Sequence, residues 1–324
     1  VQNLLNPATV KKRFLLDNDG TNFFLQSMTE EVEGCIAQEV SECPPHVTTY
    51  LLCAGAGTYL YPTKVGKITP VLPRFPASRH LHAAWAQGLD PFGMFLKALR
   101  TAGKETFVTV RMNDVHDPTD PSQWNTPPLR MSHPEFVVDP GAAATKTGDW
   151  MAYCLDYTHP EVRAYFLALL REILDRYDLD GLQLDWMRFP RHLGGNAETV
   201  WEKRGLLTEF VASVRQMLRA ARKPVLLSCR VPSNPDGLRR LGLDVGEWAR
   251  QGSIDLLVAQ PFLTTDFGMP IGQMRSAMGK NPVPIYAGID FNHGPQHHCP
   301  ESLRAAAATL YDGGADYCGA DGIY

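Results

Sequence analysis

Apolar runs of four to seven residues alternate along the whole chain with stretches in which apolar positions recur every third or fourth residue. Such alternation is the pattern of a parallel sheet covered by helices. Strands are expected near residues 13–16, 47–53, 106–111, 181–185, 225–229, 254–259 and 283–288, with a last one starting at 322–324. Eight strands close a (β/α)8 TIM barrel, which sets the fold class as α/β.

The helical stretches carry their own punctuation. His159-Pro160-Glu161 opens one with proline at its first position, and Val162, Phe166, Leu169, Leu170, Ile173 and Leu174 form its apolar stripe. A second is expected over 198–220, with Leu207, Phe210, Val211, Val214 and Leu218 facing inward and Lys223-Pro224 stopping it. Two more, 91–102 and 300–312, begin at proline and end just before glycine. No internal repeat or linker divides the chain, so residues 1–324 are read as one catalytic barrel domain.

Length beyond the usual barrel of about 250 residues collects after the second strand (54–88) and after the third (113–158). Loops on that face build the active site in this fold, so two enlarged loops rich in Pro, Trp, Tyr and His are expected to wall a cleft. The last expected strand starts three residues before the end of the sequence. It is therefore expected to be truncated, with the natural chain continuing.

The segment from Tyr177 to Pro190 concentrates the chemistry. It turns at Asp180-Gly181, alternates through Leu182-Gln183-Leu184, and delivers Asp185, Trp186 and Arg188 at the strand's C-terminal end. Asp-Gly followed by alternating hydrophobics and Asp resembles the fourth strand of glycosyl-hydrolase-like TIM barrels, the family-ten-like glycosylhydrolases, and is distantly similar to the strand carrying the nucleophile of α-amylase-type barrels. Arg111-Met112-Asn113-Asp114-Val115-His116-Asp117 at the third strand and Leu16-Asp17-Asn18-Asp19-Gly20 at the first extend the resemblance. Leu227-Ser228-Cys229-Arg230-Val231-Pro232 at the fifth strand departs from the amylases, because it offers no glutamate. The resemblance implies a barrel that hydrolyses glycosidic bonds in a polysaccharide or oligosaccharide.

That reaction needs two carboxyl groups flanking the scissile bond. Asp185 is the first candidate; its alternative role is a buried ion pair with Arg111, Arg188 or Arg230. Strands four and seven lie across the mouth from each other, and the resemblance to barrel glycosidases, many of which place acid and nucleophile there, implies Asp290 as the second carboxylate; Asp266, which would resemble barrels using strands four and six, and Asp114 are alternatives whose other reading is loop capping. Asp17, Asp19, Arg111, Asn113, His116, Arg188, Arg230, Gln260, Asn292 and His293 offer convergent polar groups for sugar hydroxyls. Trp186, Trp124 and Tyr59 are candidates to stack on a sugar ring or to anchor loops in the core. The arginines suit a carboxylated or sulfated sugar.

Two other readings stand beside this one. His293, His297 and His298, with His116 and Asp185, could form the metal site of a barrel hydrolase, and Asp17, Asp19 or Asp114 could hold calcium. The main reading calls for no metal and no cofactor. A carbohydrate-binding barrel without catalysis is the other, since fold does not dictate reaction.

Composition narrows the partners. A formal charge of −4 gives no basic footprint for nucleic acid, and no apolar run is long enough to span a membrane. Gly55 and Gly57 lie outside any nucleotide-binding fingerprint. Seven cysteines at scattered spacings lean towards a reducing compartment without excluding secretion, and Val1 starts no signal pattern, so localisation stays open.

Overall fold

The computed structural model describes residues 12–116, 118–120, 124–146, 149–281, 283–290 and 298–321. Eight parallel strands close a barrel: β1 (Leu15–Asn18), β2 (Thr49–Cys53), β3 (Glu105–Arg111), β4 (Gly181–Asp185), β5 (Leu226–Pro232), β6 (Leu256–Gln260), β7 (Ile285–Asp290) and β8 (Tyr317–Asp321). Strand β8 pairs with both β7 and β1, so the ring has no open edge. This corrects the expected position of the last strand. Cys318, Gly319 and Ala320 are small residues with little apolar signal, and the strand they form ends before residue 322, where it was expected to begin. Residues 322–324 lie outside the described residues.

Period-two alternation sorts each strand into an inner and an outer face. Leu16, Tyr50, Val108, Leu182, Leu184, Leu227, Leu257 and Ile285 point outward into the layer shared with the helices. Inside, Arg13 and Glu105 pair at the N-terminal end, with Nε–Oε2 at 2.8 Å and Nη2–Oε1 at 3.1 Å. Above them Leu15, Leu51, Phe107, Leu256, Val258 and Tyr286 fill the barrel. A polar tier follows, in which Thr109 Oγ1 donates to Gln183 Oε1 at 3.0 Å and Gln183 Nε2 donates to Ser228 Oγ at 3.2 Å. The interior thus becomes progressively more polar towards the C-terminal face.

The surrounding helices follow their apolar stripes. Helix Pro160–Arg176 buries Val162, Phe166, Leu169, Leu170 and Ile173, as its spacing predicts. The helix expected over 198–220 is two helices, Ala197–Glu202 and Gly205–Arg219, broken where Lys203 turns back to donate to the Gly194 carbonyl at 2.8 Å. Its stripe from Leu207 to Leu218 is buried as expected.

The two insertions behave differently. After β2, Tyr61 and Thr63 hydroxyls and the Lys64 amide all donate to Glu172 of helix Pro160–Arg176, at 3.0, 2.5 and 2.6 Å. Tyr61 also packs on Phe92 and Tyr177. This part of the insertion lies on the flank of the barrel instead of walling the mouth. After β3, Val115, Val138, Ala152, Tyr153 and Cys154 enclose a small separate core completed by Phe189 from the segment after β4. All seven cysteines are unpaired.

Candidate active site

Strand register assembles the C-terminal tier. Arg111 of β3 lies opposite Asp185 of β4, and Asp185 lies opposite Arg230 of β5. On the other side of the ring, Asp290 of β7 is level with Asp321 of β8, which is level with Asp17 of β1. Arg111, Asp185, Arg230, Asp290 and Asp17 share the inward parity of the residues below them, so the mouth sets three carboxylates beside a pair of arginines.

Asp185 is 1% exposed and is held on two sides. Its Oδ1 accepts from the backbone amides of Met187 and Arg188 at 3.0 and 3.1 Å, while Oδ2 lies 3.5 Å from Arg230 Nη1. The same Nη1 reaches Asp17 Oδ2 at 3.2 Å. The amides come from the turn that follows β4, where the chain leaves the strand and doubles back before Pro190. A carboxylate fixed by amides and a guanidinium acts here as an acceptor with a defined orientation.

Asp114 is the centre of a second group. Arg111 Nη1 meets its Oδ2 at 3.1 Å, and His116 Nδ1 and Asn125 Nδ2 meet its Oδ1 at 2.6 and 2.8 Å. Burial works to raise the Asp114 pKa, but His116, Arg111 and Arg188 outweigh it and hold the carboxyl below the usual carboxylate range. Arg111 extends to Asp19 at 3.6 Å, and Asp19 accepts from the Thr21 amide at 2.8 Å.

Asp290 ends β7 and is 2% exposed. The Thr265 hydroxyl donates to its carbonyl at 2.8 Å and accepts from its amide at 3.1 Å, pinning the loop after β6 to the strand end. Gln260 lies across Gly288: a Cβ there would sit 2.5 Å from the carboxamide oxygen, so glycine makes the room.

The other candidates make their contacts outside this tier. Trp186 is fully buried among Tyr157, His192, Phe210 and Trp248 on the helix side, and Tyr59 is core. Trp124 packs against Phe75. Asn113 is a loop pin: its Nδ2 donates to the Leu155 and Arg191 carbonyls, both at 3.1 Å, and lies 3.2 Å from His192 Nδ1. His192, which sequence reasoning passed over, completes that knot by donating from Nε2 to the Trp186 carbonyl at 3.2 Å, and burial lowers its pKa to about 4. Asp266 is exposed and caps its own turn at the Gly268 amide. Asn292, His293 and His297 lie outside the described residues. His298 contacts Ser302, and among the described residues no three His, Cys, Asp or Glu side chains converge to hold a metal ion. No described helix is long and apolar enough to cross a membrane.

No family model matches the chain, and no curated protein matches it. Solved structures do. The PgaB glycoside hydrolase domain of Bordetella bronchiseptica superposes with a TM-score of 0.61 at 12% identity, over 96% of this chain and 93% of that one. A GH36 α-galactosidase of Geobacillus stearothermophilus, crystallised with stachyose, matches with a TM-score of 0.54 at 12% identity. There 97% of this chain is covered, but the chain spans only 39% of the galactosidase. A maltogenic α-amylase of Thermotoga neapolitana gives 0.54 at 12% identity, over 96% and 67%. At these identities the likeness is one of fold: the barrel is of the kind that glycoside hydrolases carry.

Proposed function

We propose that this chain is one catalytic barrel that hydrolyses glycosidic bonds in a polysaccharide or oligosaccharide. The observation that carries the reading is Asp185, a buried carboxylate at the C-terminal end of β4, oriented by two backbone amides and by Arg230. In the proposed reaction Asp185 attacks the anomeric carbon or activates the water that does. Asp290, on the far side of the mouth, supplies the proton that the leaving oxygen takes as the bond breaks. Asp114 keeps Arg111 and His116 in place, and Arg111, Arg188 and Arg230 suit a substrate with carboxylate or sulfate groups. The fold shared with sugar-cleaving barrels supports the reaction class.

The test is reducing-end release from neutral, uronic and sulfated glycans by wild type, Asp185→Asn and Asp290→Asn, with and without chelator. Loss of release in both variants, with circular dichroism unchanged and wild-type activity insensitive to chelator, is the expected result. Equal release by Asp185→Asn overturns it. The anomer released first, followed by proton NMR, then tells retention from inversion, which correspond to carboxyl separations of about 5–5.5 Å and about 6.5–9.5 Å.

A further inference from the structure

Two large rings lie exposed beside this mouth. Trp150 and Phe262 are each 44% exposed, and they end a continuous row: Trp150 to His116 at 6.2 Å, His116 to Phe189 at 4.8 Å, Phe189 to Phe262 at 6.2 Å between ring centroids. Arg188 lies over Phe262 at 5.2 Å. The row joins the site directly, because His116 bonds Asp114, which bonds Arg111, the register partner of Asp185.

The backbone is strained where it presents these rings. Phe189 has φ +50° and Leu263, next to Phe262, has φ +49°; the only other described non-glycine residue with positive φ is Lys146, which ends the short helix before Trp150. Bulky residues avoid this region unless their surroundings impose it, and such strain gathers at ligand sites.

We infer that Trp150 and Phe262 form a stacking platform that holds sugar rings of an extended glycan next to the unit at the carboxylates. The inference rests on the hydrolase reading only for where the chain would be cut. A pyranose has an apolar C–H face and a rim of hydroxyls. Exposed aromatic faces interleaved with the polar groups of His116 and Arg188 offer a partner to each. A single sugar would cover one exposed ring; Trp150 and Phe262, set apart by half-buried His116 and buried Phe189, fit two units of a chain.

Native electrophoresis through gels containing galactomannan, xylan, alginate or glycol chitosan tests it, in an Asp185→Asn background so that the matrix is not digested. Retardation by at least one glycan is expected. Trp150→Ala and Phe262→Ala should each weaken it by about threefold to tenfold, and Trp150→Tyr should restore it. Both rings are exposed, so truncation leaves the core intact, and matched circular dichroism confirms this. Mobility unaffected by the double variant, or no retardation on any of the four glycans, overturns the inference. A wild type that cleaves nothing but is retarded through these two rings keeps the platform and removes the hydrolase. A wild type that cleaves glycans with the same KM in the double variant does the reverse.

Discussion

Asp17 and Asp185 meet the same guanidinium nitrogen, Nη1 of Arg230, at 3.2 and 3.5 Å. Their strands are not neighbours in the ring, so one side chain of β5 ties β1 to β4 through the interior. All three side chains are at most 12% exposed, which leaves little water to screen them.

Removing Arg230 takes the guanidinium from two buried carboxylates. Arg230→Met is expected to lower stability by about 3–5 kcal/mol, measured by urea denaturation at neutral pH. Glycan release should fall by about a hundredfold or more. Arg230→Lys, which keeps the charge but loses the fork, should fall between wild type and Arg230→Met. A fully stable and active Arg230→Met would show that the bridge is incidental.

His192 predicts a pH dependence. Its pKa is about 4 in the folded chain and 6.5 as the ordinary value, so below pH 6.5 the unfolded chain takes up a proton that the folded chain refuses. Its contribution is fully present above pH 6.5 and declines as the pH falls towards 4. Between pH 6.5 and pH 5 this amounts to about 2 kcal/mol. Urea midpoints at the two pH values should converge by that amount in His192→Gln; an unchanged slope would assign the acid sensitivity to other groups.

Gly181 opens β4 beneath the ring of Phe107. An added Cβ would lie 2.4 Å from that ring, inside a packed barrel. Gly181→Ala should cost about 1–3 kcal/mol, and Phe107→Leu should recover part of it in the double variant. Additive losses in the urea midpoints would mean that the two positions do not share space.

Strand β4 was legible to the residue, because Asp180-Gly181 turns the chain into it and Pro190 follows close behind. Strands β1, β5, β6 and β7 run one to three residues further than their apolar runs. Asp17, Arg230, Gln260 and Asp290 belong to the strands, yet as polar residues they read as the start of loops. Strand β8 was misplaced for the opposite reason, its centre being Cys, Gly and Ala. Trp186 could have been assigned from sequence: it is in step with Leu182 and Leu184, which face the helices, whereas Asp185 is in step with Gln183, which faces inward. The pins at Asn113, His192 and Thr265 join residues distant in the chain, and no local pattern announces them.

The bridge at Arg230 also spans the ring. Strand β1 carries Asp17 and is the strand on which β8 closes the barrel, while β4 carries Asp185. A ligand that drew Arg230 away from Asp17 would therefore act on both sides of the mouth at once, and by reciprocity a firmer Asp17 contact would oppose that ligand by the same free energy.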